Sequence, residues 1–257
     1  MKKIKNSFRL NGMSNIGVSH FDVIDSTNLE AKRQVKAGCK LPLVIVAEAQ
    51  TAGRGRLGRQ FYSPNSTGLY MSFVYEPKTD FSDTVTVTSA AAVAVVRARE
   101  ELTDMKPKIK WVNDIFVDGK KICGILTEAI TGEKATVIVG IGVNITTKNF
   151  PNEIKDTAAS LNVSVDKNAL MLSIVNHLTE LIKGLERRTF LPEYKEKSMV
   201  LGREVCFTEN GVTKYGIAVD INKDGGLIVK TADGMAPLST GEITLRVILY
   251  IKCVTVF

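Results

Sequence analysis

The chain has 257 residues, of which 44% are hydrophobic and 24% charged, as expected for a soluble globular protein of one or two domains. Its formal net charge of +7 indicates anionic ligands or an acidic partner, but the lysines are spread along the chain and form no concentrated nucleic-acid-binding stripe. No apolar run reaches the roughly 20 residues of a membrane span, and no secretory signal follows the N-terminal lysines, so we expect a cytoplasmic protein without a membrane partner.

Cysteine and histidine are too sparse to build a common catalytic or metal centre. The four cysteines contain no Cys-x-x-Cys pair and are expected to be buried thiols in a reducing compartment. They are Cys39, Cys123, Cys206 and Cys253. His20 and His177 have no second ligand at metal spacing, which argues against a histidine metal site or a Ser-His-Asp triad. An enzyme of this composition would work by positioning its substrates and stabilising charge.

The N-terminal part of the chain predicts one strand followed by one helix. His20–Ile24 has the composition of a short strand, whereas residues 1–19 are polar and too short for a separate domain. Apolar residues at helical spacing then predict a helix from Leu29 to Gly38. Thr27 and Glu30 have the spacing of a capping box, which places the start of that helix at Thr27.

Two predicted strands flank a segment rich in glycine and arginine. Leu43–Ala47 is a continuous apolar run typical of a buried strand, and Gly68–Tyr75 alternates towards one face. Between them lies Gly-Arg-Gly-Arg-Leu-Gly-Arg at Gly53–Arg59, called the glycine–arginine loop below. Glycine lets the backbone approach a ligand closely, and arginine supplies cationic forks that fit carboxylate and phosphate oxygens. The glycine–arginine loop is therefore predicted to close over an anion.

Other interpretations of the glycine–arginine loop depend on the segment after it. Gly53, Gly55 and Gly58 match the dinucleotide pattern G-x-G-x-x-G, which also requires a helix that opens at the loop. Residues 60–68 have the composition of turn and loop instead, so a Rossmann site is excluded, and the Gly-Lys-Ser/Thr of a P-loop is absent. A solvated loop that contacts nucleic acid without sequence preference stays open as the alternative.

The middle of the chain predicts one helix followed by a meander of strands. Thr84–Leu102 is rich in alanine and is predicted to be helical throughout. Lys108–Val117, Lys121–Ile130 and Ala135–Ile145 are strand-like runs, and Asp118-Gly119 between the first two is a strong hairpin signal. We therefore expect three consecutive antiparallel strands in this region.

Two helices and a small β domain are predicted for the remainder. Apolar residues recur at helical spacing from Leu170 to Leu185, and a shorter helix is expected over Leu191–Lys197. From Met199 onward, short strands separated by Asn-Gly and Asp-Gly turns indicate a small β-barrel, with the apolar Ile248–Phe257 as a further edge strand. The expected domains are residues 1–198 and 199–257.

A second polar group lies on the first predicted hairpin of the meander. Lys110-Trp111-Val112-Asn113-Asp114 belongs to its first strand, and Lys121 and Gly124 begin the second. Charged residues of this kind usually lie on a solvent-exposed face of a hairpin and have no further role. Two lysines, an amide and a carboxylate could also hold a Mg²⁺–nucleotide, where stabilisation of charge does the catalytic work.

These motifs, in this order, resemble those of the biotin protein ligases. The glycine–arginine loop and the Lys-Trp-x-Asn-Asp block carry the resemblance most clearly. In chain order the matching segments are Asp25–Asn28, Gly53–Arg59, Lys110–Asp114, Lys121 with Gly124–Leu126, Gly140–Asn144 and Gly241–Ile243. Five of them, in sequence order, span residues 25–144, which makes the match far more specific than any one motif.

The resemblance implies an enzyme that activates and transfers biotin. Members of this family join the biotin carboxylate to ATP in the presence of Mg²⁺ and form biotinyl-5′-AMP and pyrophosphate. They then transfer the biotinyl group to one lysine of a biotin carboxyl carrier protein or domain of a biotin-dependent carboxylase such as acetyl-CoA carboxylase. This chemistry needs no enzyme nucleophile, which agrees with a chain that has no catalytic triad.

The resemblance also implies roles for individual residues. The catalytic residues would be Lys121 and Arg56. Biotin would be bound by Ser26, Thr27, Asn28, Gln50, Arg54, Gly55, Arg56, Lys121 and Gly124. ATP and the adenylate would be bound by Arg56, Arg59, Phe61, Lys110, Asn113, Asp114, Lys121 and Asn144. No metal ligand is fixed, but Mg²⁺ bound with ATP is expected near Asp114. Spacing alone would assign Ser26 and Thr27 only to helix capping.

The implied fold is an α/β (α+β) catalytic domain like that of class II aminoacyl-tRNA synthetases, followed by an SH3-like C-terminal β-barrel. Some relatives carry an N-terminal winged helix that represses transcription. The residues before His20 leave no room for it, so we expect the type without a DNA-binding domain. Phe61 stands where the family often has tryptophan, and Val112 where it often has proline. Phe61 can still stack on an adenine, so ATP affinity is the property that these departures affect.

Two alternatives remain at this point. A lipoate or octanoate ligase would use the same adenylate chemistry on a related fold, but the arginine-rich loop and the Lys-Trp-x-Asn-Asp block favour biotin. A non-catalytic nucleic-acid-binding protein would need a concentrated basic face with stacking aromatics, and aromatic residues are only 7% of this chain. An exposed strand edge in the meander would permit a homodimer.

Overall fold

The computed structural model describes residues 4–10, 13–78, 84–132, 134–163, 165–209, 211–239 and 243–245. The chain forms two compact units, Met1–Met199 and Val200–Phe257. None of the helices in these described ranges is both long and apolar enough to span a bilayer. Three predicted features fall outside the described residues. They are Gly241-Glu242 of the last motif, Cys253, and the strand expected over Ile248–Phe257.

The first unit is organised around a mixed β-sheet with helices on both sides. Its described strands are β1 (Ile4–Leu10), β2 (Met13–Ile24), β3 (Leu43–Gln50), β4 (Gly68–Tyr75), β5 (Lys108–Lys110), β6 (Asp114–Val117), β7 (Lys120–Ile130) and β8 (Thr136–Asn144). They lie in the order β1-β2-β3-β4-β8-β7-β6-β5. β2 and β3 are parallel, and the other neighbours are antiparallel. The described helices are α1 (Thr27–Lys36), α2 (Thr84–Leu102), α3 (Lys167–Lys183) and α4 (Leu191–Glu196).

Helices α1 and α2 cover opposite faces of the sheet. Successive side chains of a strand point to opposite faces. On β7, the Thr127 hydroxyl accepts a hydrogen bond from the Thr88 hydroxyl of α2, with 2.8 Å between the oxygens. The next residue, Glu128, accepts a hydrogen bond from Asn28 of α1 instead. The α1 face therefore carries the even-numbered residues of β7 from Gly124 to Glu128, beyond the bulge that shifts the register at Ile122. The core between α1 and the sheet contains Phe21, Ile24, Ala31, Leu43, Ile45, Ala47, Val74 and Ile138.

The first turn of α1 is capped from β3 rather than by its own side chains. The Thr27 backbone N–H donates to Gln50 Oε1 at 2.8 Å, and the N-cap residue, Ser26, makes no side-chain capping bond. Glu30 accepts hydrogen bonds from side chains one turn further along α1. The predicted capping box of Thr27 and Glu30 is therefore wrong, because Gln50 supplies the acceptor that the helix terminus needs.

Two strand predictions also need correction. The single strand expected over Lys108–Val117 is the hairpin of β5 and β6, in which Lys110 pairs with Asp114 around a turn at residues 111–113. The N-terminal residues, for which no strand was expected before His20, form β1 and the first half of β2. β1 lies at the end of the sheet order, and its polar composition lacks the apolar run on which the other strand predictions relied.

The hairpin between β6 and β7 is confirmed. Asp118 and Gly119 form its two-residue connection, with φ values of 49° and 75°. Positive φ at both positions is the geometry of a type I′ turn, which matches the twist of antiparallel strands. This turn brings Asp114 opposite Gly124, and the two halves of the second polar group are thereby placed side by side.

The second unit is an antiparallel sheet. Its described strands are β9 (Glu204–Glu209), β10 (Val212–Ile221), β11 (Leu227–Thr231), β12 (Gly234–Leu238) and β13 (Ile243–Leu245), in the order β12-β11-β10-β9-β13. Gly211, with φ of 78°, lies in the turn between β9 and β10. The buried residues of this sheet include Val205, Phe207, Ala218, Leu227 and Val229. The predicted fold class, a mixed α/β unit followed by a small β unit, is confirmed.

The described cysteines differ in burial. Cys123 on β7 is buried, whereas Cys39 and Cys206 are only partly buried. The expectation of uniformly buried thiols is therefore wrong for two of them, because both lie near the surface of their units. Burial raises the pKa of the Cys123 thiol, which keeps it protonated and unsuited to act as a nucleophile.

Candidate active site

The glycine–arginine loop folds back on itself. The Gly55 backbone N–H donates to the Arg59 carbonyl oxygen at 2.8 Å, and the Phe61 N–H donates to the Gly53 carbonyl oxygen at 2.9 Å. At its tip, Gly58 has φ of 75°, a left-handed conformation that glycine adopts without steric penalty. These bonds close the loop into a compact turn, so that its arginine side chains project from a defined backbone.

Gln50, at the end of β3, joins the base of the loop to α1. Its Oε1 accepts from the Thr27 backbone N–H, and its Nε2 donates to Ser63 Oγ at 2.8 Å. Ser63 Oγ in turn donates to the Phe61 carbonyl oxygen at 2.9 Å. A Cβ at Gly53 would lie 2.3 Å from that same carbonyl oxygen, so the close approach requires glycine at this position. Ser26 and Thr27 are buried at the α1 end of this network.

Asn28 is buried between α1 and the sheet with its amide orientation fixed. Its Nδ2 donates to the Leu126 carbonyl oxygen at 3.2 Å and to Glu128 Oε2 at 2.9 Å, and its Oδ1 accepts from Ser72 Oγ at 2.6 Å. A Cβ at Gly140 would lie 2.2 Å from Oδ1, so this strand position must be glycine. Since both amide hydrogens are used, Asn28 can offer a ligand only its remaining Oδ1 lone pair.

A continuous line of contacts joins the glycine–arginine loop to the hairpin. Arg56 Nη1 donates to Asn113 Oδ1 at 3.1 Å, and Asn113 Nδ2 donates to Asp114 Oδ1 at 2.9 Å. Lys121 Nζ lies 2.7 Å from the same Asp114 oxygen. Asn113 and Asp114 thus lie between two cations that come from sequence-distant motifs. An anion placed between Arg56 and Lys121 would be attracted by both.

The backbone around Lys121 is held by a segment that the sequence did not single out. The Lys121 N–H donates to the Thr157 carbonyl oxygen at 2.8 Å, and the Ala159 N–H donates to the Lys121 carbonyl oxygen at 2.9 Å. Asn144 Nδ2 donates to the Ala159 carbonyl oxygen at 3.2 Å. Asn144 is only 4% exposed, and among the described residues its Oδ1 finds no hydrogen-bond partner although it is buried. Such an atom is costly to leave unpaired and is available to a ligand or cation.

The Phe61 ring lies on the glycine positions of β7 and β8. Gly124 pairs with Gly142 across the two strands, and a Cβ at Gly142 would lie 2.5 Å from the ring. At Gly124 a Cβ would lie 3.2 Å from both the ring and the Lys121 side chain. Tyr70 meets the ring edge-on with 6.4 Å between centroids, and burial raises the pKa of Tyr70 to about 12. Phe61 therefore covers a floor that lacks side chains of its own.

Some predicted residues lie outside this line of contacts. The Lys110 amine is 5.8 Å from the centroid of the Phe116 ring, which is its described contact. Arg59 is exposed at the end of the glycine–arginine loop. Arg54 Nη2 lies 3.8 Å from Glu128 Oε1, on the Asn28 side of the site. The structure thus brings together the Gln50 and Asn28 network and the Arg56–Lys121 line, and Lys110 adjoins that line through its strand pairing with Asp114.

Several residues of the site were not predicted. Ser63, Glu128 and the segment Thr157–Ala159 hold predicted residues in place. Only Glu128 had a usable signal, because it lies four positions after Gly124 on a strand and must share its face. Burial would raise the pKa of Glu128, but hydrogen bonds from Lys32 and Asn28 and the nearby cations outweigh it, so its pKa lies below the usual value.

The chain is similar to known proteins over most of its length. The family profile described as Biotin/lipoate A/B protein ligase matches residues 20–144, and that of the Biotin protein ligase C terminal domain matches residues 200–246. The bifunctional ligase/repressor BirA of Bacillus subtilis is 33% identical over 238 residues, which cover 88% of this chain and 73% of the relative. The biotin–[acetyl-CoA-carboxylase] ligase of Mycobacterium tuberculosis is 28% identical, with 85% of each chain covered.

A solved structure shows the same similarity over both units. The biotin protein ligase from Aquifex aeolicus in complex with biotin and ATP superimposes with a TM-score of 0.77 and 30% identity, and 89% of this chain and 98% of that chain are covered. One family profile matches within the first unit and the other within the second. On the fold, the two family profiles and these relatives, the chain is an enzyme of the biotin protein ligase family.

Proposed function

We propose that this enzyme binds biotin and ATP, forms biotinyl-5′-AMP, and transfers the biotinyl group to one lysine of a biotin carboxyl carrier domain of a biotin-dependent carboxylase. The observation that carries the proposal is the contact line from Arg56 through Asn113 and Asp114 to Lys121. It brings cations from two separate motifs to one place, where a carboxylate and a phosphate must meet. The Aquifex aeolicus ligase was solved in complex with biotin and ATP, which supports the choice of substrates.

In the first step, a carboxylate oxygen of biotin forms a bond to the α-phosphorus of ATP, and the bond from that phosphorus to the pyrophosphate oxygen breaks. Both reactants are anions, so cations must offset their repulsion as they approach. Arg56 and Lys121 serve this purpose from opposite ends of the line. In the second step, the ε-amine of the acceptor lysine attacks the acyl carbon, and AMP leaves.

The biotin head group is proposed to bind next to Gln50 and the start of α1. Thr27 and Gln50 form one hydrogen-bonded unit, and Asn28 has one acceptor lone pair left. The remaining members of the proposed biotin site are Ser26, Arg54, Gly55 and Gly124. The ring of Phe61 lies over Gly124, so we propose that it shifts when a ligand occupies this floor.

The nucleotide is proposed to bind on the Asn144 side of Lys121. The unpartnered, buried Oδ1 of Asn144 and the carboxylate of Asp114 are oxygen donors of the kind that Mg²⁺ prefers, so the residues fit a Mg²⁺ ion that arrives with ATP. When bound, the ion would neutralise charge on the phosphates. Arg59, Phe61 and Lys110 complete the proposed nucleotide site, and of these Lys110 has the weakest geometric support.

Acceptor transfer is tested with a purified biotin carboxyl carrier domain, biotin and Mg²⁺–ATP. Intact-mass measurement should show the gain of one biotinyl group, and replacement of the acceptor lysine by arginine should abolish it. Omission of ATP is the second control. A carrier domain whose mass stays unchanged, while a known biotin ligase modifies it under the same conditions, would overturn the proposed acceptor.

A homodimer is part of the proposal, but the meander does not offer the edge that the sequence suggested. The outer edge of β5 is covered, because the Ile109 N–H donates to the Lys197 carbonyl oxygen at 2.8 Å and the Met199 N–H donates to the Ile109 carbonyl oxygen at 2.9 Å. A dimer is therefore not expected to form by strand addition to β5. Sedimentation equilibrium with and without biotin and ATP distinguishes monomer from dimer, and a monomer in every condition would contradict it.

A further inference from the structure

Glu128 lies at the centre of a charged network beside the proposed biotin site. It belongs to β7, the strand that begins with Lys120 and Lys121. Gly124 and Glu128 are both even-numbered positions of β7 and face α1, since side chains alternate along a strand. The carboxylate therefore lies on the same surface as the floor beneath Phe61 and reaches towards α1 and the glycine–arginine loop.

Two hydrogen-bond donors of α1 and one cation of the glycine–arginine loop converge on this carboxylate. Lys32 Nζ of α1 lies 2.7 Å from Oε1, and Asn28 Nδ2 donates to Oε2 at 2.9 Å. Arg54 Nη2 of the loop is 3.8 Å from Oε1. Glu128 thus links the strand, the helix and the loop that together make the proposed biotin site.

The carboxylate is well sheltered from solvent. The side chain of Glu128 is 18% exposed, compared with 36% for Lys32 and 42% for Arg54. Loss of a sheltered charge leaves its partners unpaired, and this effect exceeds that of an exposed ion pair. The long contact to the exposed Arg54 is weaker than the two hydrogen bonds. It therefore stabilises the position of the loop but still lets the loop move.

We propose that Glu128 is a positioning residue for biotin: it fixes the amide of Asn28 and holds the Arg54 end of the glycine–arginine loop against α1. Its described contacts, with Asn28, Lys32 and Arg54, include none of the residues in the line from Arg56 to Lys121. Its removal therefore affects the binding of biotin and leaves the use of ATP almost unchanged. This inference rests on the proposed function, and its first test does not require that function to be correct.

The first test measures cleavage of the ligand-free protein by trypsin within the loop. In Glu128→Gln the loop should be cut about two- to fivefold faster, because the charge that attracts the exposed Arg54 is gone. Glu193→Gln is the matched control. Glu193 is 24% exposed and forms a two-pronged ion pair with Arg97, with contacts of 3.0 and 2.6 Å to one carboxylate oxygen, away from the loop. Cleavage of the Glu128 variant at the wild-type rate, with the fold intact, would overturn the positioning role.

The second test separates the two substrates in ATP–pyrophosphate exchange. In Glu128→Gln the KM for biotin should rise about tenfold, while kcat and the KM for ATP stay within about twofold of wild type. In the double variant Glu128→Gln, Arg54→Gln, the rise in the KM for biotin should be smaller than the product of the rises in the two single variants, because both residues act through one contact. A purely structural role would lower kcat and both affinities alike, and that result contradicts the inference.

Glu128→Asp provides a second variant if the glutamine protein does not fold. It keeps the charge but shortens the reach by one methylene group, so faster loop cleavage and a higher KM for biotin are again expected. An aspartate variant that matches wild type in both measurements overturns the proposal. Absence of biotin-dependent exchange by the wild-type enzyme instead overturns the proposed function, and the trypsin result then still decides whether Glu128 holds the loop.

Discussion

The amine of Lys121 lies 2.7 Å from Asp114 Oδ1, so the lysine proposed to act on the phosphate is paired with a carboxylate. The same oxygen accepts a hydrogen bond from Asn113 at 2.9 Å, and Asn113 accepts one from Arg56. Side-chain exposures of 32% for Lys121 and 22% for Asp114 leave this pair open to an incoming anion. The carboxylate of Asp114 therefore orients the Lys121 amine.

Asp114→Asn tests this orientation. The amide can still accept hydrogen bonds, but it removes the negative charge that holds Lys121, so we expect kcat/KM of the exchange reaction to fall about 10- to 100-fold. The thermal midpoint should change little, because the shape of the side chain is kept. Asp118→Asn, in the turn of the same hairpin, is the control and should retain wild-type activity. Exchange by Asp114→Asn at the wild-type rate would show that the pair has no role in catalysis.

Gly142→Ala tests the floor beneath Phe61. The added Cβ would lie 2.5 Å from the ring, so the variant should be destabilised by about 1–3 kcal/mol in urea unfolding. The double variant with Phe61→Ala should recover much of that loss, because the clashing ring is gone. Gly132→Ala, whose Cβ would meet its nearest atom only at 3.8 Å, is the matched control. If Gly142→Ala lowered the free energy of unfolding equally with and without the Phe61 ring, another contact would have to exclude the methyl group.

The stability of the fold should depend on the ionisation of Glu128. Its pKa is lowered below the usual 4.5 in the folded protein. A depressed pKa stabilises the folded state above the unfolded value, and this contribution is lost as the pH falls through the folded pKa. In urea unfolding, wild type should therefore exceed Glu128→Gln at pH 7, and the difference should shrink below pH 4.5. A difference that stays constant down to pH 3 would contradict this account.

The glycine–arginine loop should become more protected when substrates bind. Its backbone is closed by two hydrogen bonds and its arginines are partly or fully exposed, so trypsin can reach them in the free protein. Bound biotin and ATP would neutralise the arginines and exclude water from the adenylate. We expect slower cleavage at residues 54–59 with both ligands, whereas cleavage at Arg187 and Arg188 should be unaffected. Equal rates at the loop with and without ligands would refute loop closure.

Sequence reasoning succeeded where a feature is local. The type I′ turn at Asp118-Gly119 and the alanine-rich α2 follow from residue types that leave few alternatives. It failed where a partner far along the chain decides the outcome. The capping acceptor for Thr27 comes from Gln50, which lies 23 residues later, and no spacing rule within α1 could reveal it.

The same distinction applies to the candidate site. The motifs that carry Arg56 and Lys121 could be recognised, and the structure connects them through Asn113 and Asp114. The residues that hold those motifs in place were missed, because Thr157 acts through its backbone carbonyl and has no side-chain signature. Such supporting contacts depend on tertiary packing, and the local pattern of a single sequence does not predict them.

ATP–pyrophosphate exchange by the purified enzyme tests the central claim most directly. With Mg²⁺ and biotin, lipoate or octanoate as the added acid and no acceptor present, we predict exchange with biotin alone. Lys121→Ala should reduce it by about 100-fold or more, while Lys120→Ala, at the neighbouring exposed position, should not. Exchange with lipoate or octanoate instead of biotin would overturn the substrate. Absence of exchange with all three acids, from folded protein, would contradict the proposed adenylation itself.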